Sequence, residues 1–173
     1  ELEYLTADMV RFELGAPVDL AATMLCSATY ILEDQDFVLH LRAVAAALAP
    51  GGLYVIELPH PTELDGRPKT KSTWTMSDPT GKLDVEWLDG DGSSAAAARQ
   101  APTIARLRFQ PQHGEPILIE SQAPLRAFSR AEIEDFVATS GRFEVVSVFG
   151  ALDPQVSLEA EKAWRMVVTL ARR

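Results

Sequence analysis

Pro50-Gly51-Gly52-Leu53-Tyr54-Val55-Ile56-Glu57 is the stretch on which the reading of this chain turns. It follows a helical pattern and opens a run that reads as a buried strand. Proline cannot continue a helix, and glycine admits the backbone that a sharp reversal needs. The stretch therefore predicts a helix-to-strand turn. Upstream, Val18-Asp19-Leu20-Ala21-Ala22-Thr23-Met24-Leu25 is a second buried-strand candidate, introduced by Gly15-Ala16-Pro17. Between them, Phe37, Leu41, Val44 and Leu48 recur at helical spacing over 34–49, and Asp34 and Asp36 sit in the first turn, where acidic groups suit the helix dipole. Strand, helix, strand calls for parallel pairing through a crossover.

Composition bounds what such a chain does. Its 173 residues suffice for one domain, with 47% apolar and 24% charged residues, as in globular proteins generally. The net charge of -9 disfavours non-specific nucleic-acid binding and docking on anionic membranes, both of which need a basic surface. One cysteine, Cys26, excludes an internal disulfide and a Cys-rich metal site. No apolar run approaches the roughly 20 residues of a membrane span, and no signal-peptide pattern opens the chain. A cytoplasmic location is expected. The chain starts at Glu1 and enters directly into an alternating segment, so it is expected to be a fragment or a processed product of something longer.

Outward from the central stretch, residues 2–7 alternate like a short strand ending at Asp8-Met9. After Pro59-His60-Pro61 the chain reads as loop to Ser72. Trp74–Met76, Leu83–Leu88, Ile104–Gln110 and Ile117–Ala123 then alternate as antiparallel strands, with His113-Gly114 as a hairpin turn. Asp89–Ala98 reads as a surface loop. Ser129-Arg130-Ala131-Glu132 is a capping box, with Phe128 and Ile133 at the staple positions. Its helix runs to about Ser140 and stops at Gly141. Phe143–Phe149 and 163–171 are the last strands, close enough in sequence to pair antiparallel.

Three stretches carry a family resemblance: Thr6-Ala7-Asp8-Met9, Asp19 to Leu32, and Leu48-Ala49-Pro50-Gly51-Gly52-Leu53-Tyr54-Val55-Ile56. In order and spacing the chain resembles the C-terminal two-thirds of a class I S-adenosylmethionine-dependent methyltransferase. The resemblance implies an α/β fold: a partial Rossmann-like sheet, strands three to seven of the family, in one domain over 1–173, with 72–123 as an antiparallel insert. It also implies that the family's Gly-rich first loop and ribose-binding acid are missing. Alone, such a chain is expected to bind the cofactor poorly and to expose sheet edges that favour association.

The same resemblance implies roles. Asp8 would accept from the adenine amino group of S-adenosylmethionine, and Met9 would lie against the ring. Met24, Leu25 and Ser27 would line the sulfonium end. Ser27 and Tyr30 would face a small-molecule acceptor, although Tyr30 also suits packing beneath the 34–49 helix. His60 follows the central strand at the ligand-facing edge, where an imidazole could act as a base toward an acceptor amine or hydroxyl. Asp19 and Cys26 read as structural. His40, on the polar side of its helix, and His113, in a turn, read as solvated. Three scattered histidines make no metal site. Trp74, Met76 and Trp87 read as strand packing or as a substrate cover.

Methyl transfer to a small molecule is the leading function. The alternative is a non-catalytic remnant or partner-binding module of the same fold. A nicotinamide-dependent reductase half is weaker, because no Tyr-x-x-x-Lys pair is present.

Overall fold

The computed structural model describes residues 2–62, 72–89 and 100–173. In chain order its elements are β1 (Val18–Thr23), a 3-10 turn (Ser27–Tyr30), α1 (Asp34–Ala47), β2 (Leu48–Pro59), β3 (Ser72–Asp78), β4 (Gly81–Asp89), β5 (Gln100–Pro111), β6 (Ile117–Arg126), α2 (Arg130–Ser140), β7 (Phe143–Phe149) and β8 (Arg165–Arg172). They form two compact units, Glu1–Thr62 with Ala127–Arg173, and Glu63–Arg126. The expected strands of both units are present, save the one at 2–7. The loop expected over Asp89–Ala98 and most of that over 61–72 lie outside the described residues.

The first unit is a four-stranded sheet in the order β1-β2-β8-β7. β1 and β2 are parallel, joined through α1, while β8 pairs antiparallel with both β2 and β7. The helix ends sooner than its sequence suggests. Leu48 is already extended and bonds its N–H to the Val44 carbonyl, so β2 begins two residues before Pro50. Val18 faces Leu48 and Leu20 faces Leu53, leaving Ala49–Gly52 to bulge opposite Asp19. Gly51 takes φ +77°, and a Cβ on Gly52 would lie 2.9 Å from the Ala49 carbonyl oxygen. Pro-Gly-Gly is thus a bulge inside the strand rather than the stop of the helix.

Alternation along β2 sends Tyr54, Ile56 and Leu58 to one face, where α1 and α2 cover them. Met166, Val168 and Leu170 of β8 and Phe143 of β7 join the same core. Phe37 of α1 lies 4.9 Å from Phe128 and 5.1 Å from Phe136 between ring centroids, and so locks the two helices together. The opposite face of β2 is covered only toward its end, where Glu57 is 3% exposed. Leu20 and Leu53, paired on the opposite face, are 60% and 40% exposed.

α2 is set by its ends. The Ser129 hydroxyl accepts from the Glu132 amide and the Glu132 carboxylate accepts from the Ser129 amide at 2.9 Å, the reciprocal box expected. Gly141 closes the helix at φ +66°.

Two expectations fail. Residues 2–7 form no strand: a strand needs a neighbour for its backbone groups, none is paired there, and Leu2, Tyr4 and Leu5 stand exposed. His40 is not solvated but 2% exposed. It stands three residues after Phe37 and four before Val44, so helix geometry puts it on the apolar stripe whatever its polarity. Burial there holds its pKa below the ordinary imidazole value.

The second unit is an antiparallel meander, β3-β4-β5-β6. Cross-strand register aligns Trp74, Val85, Leu107 and Ile119 on one face, with Met76, Leu83, Phe109 and Ile117 beside them. Thr75, Asp84 and Arg108 occupy the other face. The β5–β6 hairpin turns through Gly114, at φ +109°.

Ser129→Ala should cost about 1 kcal/mol of stability, measured by urea unfolding, since it removes one half of the box. His40 gives a pH signature. Its folded pKa is depressed, so the unfolded chain takes the proton first as pH falls. Stability should be complete above about pH 6.5, then decline with falling pH until the folded ring itself protonates. Urea midpoints across this range should show a drop in the parent protein that is smaller in His40→Gln.

Candidate cofactor cleft

Open α/β sheets bind ligands beyond the carboxyl ends of their parallel strands. Here those ends belong to β1 and β2. After Thr23 the chain makes a tight turn over Met24–Ser27, in which the Met24 carbonyl accepts from both the Ser27 amide at 3.1 Å and the Ser27 hydroxyl at 2.8 Å. Leu25 and Cys26 take φ +54° and +57°, two consecutive non-glycine residues in left-handed backbone. Each such residue costs on the order of 1–2 kcal/mol, and such strain collects at functional sites. The turn throws the Leu25 side chain into solvent, 85% exposed.

Glu57 holds this turn. It is 3% exposed, at the end of an apolar strand. One carboxylate oxygen accepts from the Leu25 amide at 2.8 Å and the other from Arg165 Nε at 3.0 Å. A single buried carboxylate therefore joins the strained turn, β2 and β8, and each oxygen has the donor that its burial demands.

The Asp8–Met9 segment faces the residues that follow the strained turn, from Tyr30 to Glu33. Asp8 Oδ1 accepts from the Val10 amide at 2.8 Å, and the Asp8 carbonyl from the Arg11 amide at 3.1 Å. Asp8, Met9, Tyr30, Ile31, Leu32, Glu33 and Asp36 line a cleft of about 340 Å³. The structure thus brings three of the sequence-derived candidates, Asp8, Met9 and Tyr30, into one cleft. Tyr30 is half exposed rather than packed beneath α1. Met24, Leu25 and Ser27 lie together on the strained turn that leads into the 3-10 turn carrying Tyr30. The cleft combines an apolar wall of Met9, Ile31 and Leu32 with three carboxylates, Asp8, Glu33 and Asp36. Such a rim suits a ligand rich in hydrogen-bond donors or positive charge.

His60 is engaged elsewhere. Its Nε2 lies 2.9 Å from the Leu158 carbonyl, which only accepts, so Nε2 carries the proton. Its Nδ1 then accepts from the Thr62 hydroxyl at 2.8 Å. Nε2 thus ties the end of β2 to the β7–β8 connection, while Nδ1 is taken up locally by Thr62.

Two residues that support the candidate site escaped the sequence reading. Glu57 carried a signal, an acid inside a buried strand pattern, which requires a partner. His40 carried one in its spacing. It bonds the Met9 carbonyl through Nδ1 at 2.7 Å.

In the second unit, Thr73, Trp74, Asp84, Glu86, Arg106 and Arg108 line an open depression of about 650 Å³. Its charges are largely matched, Lys82 with Asp84 and Arg106 with Glu120. Among the described residues no group of His, Cys, Asp and Glu is placed to hold a metal ion, and no helix is long and apolar enough to cross a membrane.

No family model matches the chain, and no curated protein sequence matches it. Solved structures do. A S-adenosylmethionine-dependent methyltransferase from Clostridium acetobutylicum superposes with a TM-score of 0.70 at 15% identity, over 96% of this chain and 63% of that one. A sugar N-methyltransferase from Streptoalloteichus gives 0.73 at 17% identity, over 96% and 61%. An amino pentose methyltransferase from Micromonospora echinaspora, solved with S-adenosylmethionine bound, gives 0.64 at 18% identity, over 96% and 63%. The chain thus spans about three-fifths of the length of the structures it matches. Over that span the chain carries, in part, the fold of the S-adenosylmethionine-dependent methyltransferases.

Proposed function

We propose that this chain is the acceptor-side portion of an S-adenosylmethionine-dependent methyltransferase acting on a small molecule in the cytoplasm. Residues 1–173 belong to one domain in this reading, with 72–123 as its insert. The observation that carries it is the cleft in which Asp8, Met9 and Tyr30 meet, with Tyr30 on the 3-10 turn that directly follows the strained Met24–Ser27 turn after β1. The fold of the structures named above gives the same direction.

The residues present fit the adenosyl end of the cofactor. The cleft is at the small end of the range for ligand sites, about 300–1,000 Å³. Its apolar wall suits an aromatic base, and its carboxylates suit amino and hydroxyl donors. Bound there, the sulfonium supplies an electrophilic methyl group for in-line displacement. Asp8 accepts from the adenine amino group, and Met9 lies against the ring. The Met24, Leu25 and Ser27 backbone lines the sulfonium end, and Glu57 holds it in place. Tyr30 faces the acceptor. His60 serves as a base only by giving up its Thr62 bond. For such a reaction the protein mainly supplies orientation and exclusion of water.

Calorimetry of the full-length protein with S-adenosylmethionine tests the reading. No binding by the full-length protein leaves the remnant or partner-binding module. Asp8→Ala should weaken binding about tenfold or more, the loss of a charge-assisted bond. Unchanged affinity removes Asp8 from the site. Glu57→Gln should lower stability by about 1–3 kcal/mol and weaken cofactor binding together, because one group serves both the fold and the turn. A drop in stability with unaltered affinity would place the Met24–Ser27 turn outside the site.

A further inference from the structure

A hydrogen-bonded chain of side chains crosses the first unit. His40 Nδ1 lies 2.7 Å from the Met9 carbonyl oxygen, and its Nε2 lies 2.6 Å from the Tyr54 hydroxyl. The Tyr54 hydroxyl lies 2.7 Å from the Thr23 hydroxyl. The protons have one consistent arrangement. A carbonyl only accepts, so Nδ1 carries the hydrogen. With the ring neutral in its buried setting, Nε2 accepts and Tyr54 donates to it. The Tyr54 oxygen in turn accepts from Thr23. The chain therefore runs in one direction, Thr23 to Tyr54 to His40 to Met9.

Its two ends matter. Met9 is in the wall of the cleft, and Thr23 is the last residue of β1, directly before the Met24–Ser27 turn. Residues 2–7 have no strand to fix them, and Asp8 and Arg11 form only an isolated bridge. Val10 and Phe12 touch the core as partly buried side chains, which gives the segment apolar contact but no direction. A hydrogen bond to the Met9 carbonyl supplies the direction.

We infer that His40 is a positioning residue. Held in the Nδ1–H tautomer by Tyr54 and Thr23, it fixes the Asp8–Met9 wall relative to the end of β1. Its effect on cofactor affinity rests on the methyltransferase reading, whereas its effect on the Asp8–Arg11 turn does not. His40 touches no reacting atom. It acts through Met9, and Tyr54 acts through His40.

The decisive measurement is the nitrogen spectrum of the protein labelled at histidine. The expected result near neutral pH is a neutral His40 ring protonated at Nδ1. A ring protonated at Nε2, or at both nitrogens, overturns the inference. Tyr54→Phe then cuts the chain at one hydroxyl and keeps the packing of the ring. It should shift His40 away from the Nδ1–H form. It should also speed hydrogen exchange of the Val10 and Arg11 amides about fivefold, the equivalent of one ordinary hydrogen bond, with α2 unchanged. His40→Leu should do the same to those amides. If His40→Leu fails to fold, the spectrum and Tyr54→Phe decide the matter. Exchange at Val10 and Arg11 unchanged in Tyr54→Phe overturns the inference. Where the parent protein binds S-adenosylmethionine, Tyr54→Phe should also raise its Kd about fivefold. Absence of binding by the full-length parent counts against the methyltransferase reading alone, and the tautomer and exchange results still judge His40.

Discussion

Strand β2 is the constraint to which everything in the first unit refers. It takes a parallel partner on one side and an antiparallel partner on the other. Its two-residue period then distributes the work. Tyr54, Ile56 and Leu58 point into the core that holds both helices, and Glu57 points the other way, between Leu25 and Arg165. Packing and polar chemistry are thus separated by the pleat of one strand. A change of one residue in register would exchange them.

The polar groups that this strand buries are few and fully engaged. Glu57 divides its two oxygens between a backbone amide and a guanidinium. Tyr54 uses its hydroxyl in two bonds, to His40 and to Thr23. Among the described residues no buried side-chain nitrogen or oxygen lacks a partner. Polar groups in a low-dielectric interior are costly when unmatched and directive when matched. Here they direct loops. Glu57 serves the turn after β1, and His40 serves the segment around Met9. The strain in Leu25 and Cys26 persists because the groups around the turn over-determine it.

Much of the fold was legible in the sequence because its signals are local. The strand pattern of β1 and β2, the stripe of α1, the capping box at Ser129 and the four alternating strands of the second unit all depend on neighbours in sequence. What was not legible depended on partners far along the chain. Residues 2–7 alternate as a strand should, yet alternation supplies no partner for a ladder. His40 was read onto the polar side of its helix, although its spacing from Phe37 and Val44 places it on the apolar stripe; the Met9 carbonyl and the Tyr54 hydroxyl, which take its two ring nitrogens, let a histidine stand there. Of the candidate site, Asp8, Met9 and Tyr30 were named from sequence and do share a cleft, while Glu57, which supports the Met24–Ser27 turn, was passed over as part of an apolar run.

The sheet order has a consequence for how the chain assembles. Val18 finds Leu48 across a single helix, so β1, α1 and β2 close a short loop from contacts near in sequence. Leu53 must wait for Ala171, and the whole antiparallel meander lies between them. Closure entropy grows only slowly with loop length, but non-local strand pairing is slow to find. The parallel pair is therefore the natural early product of folding. β8 completes the core by entering between β2 and β7, so a growing chain holds the free edge of β2 open until β8 has been made.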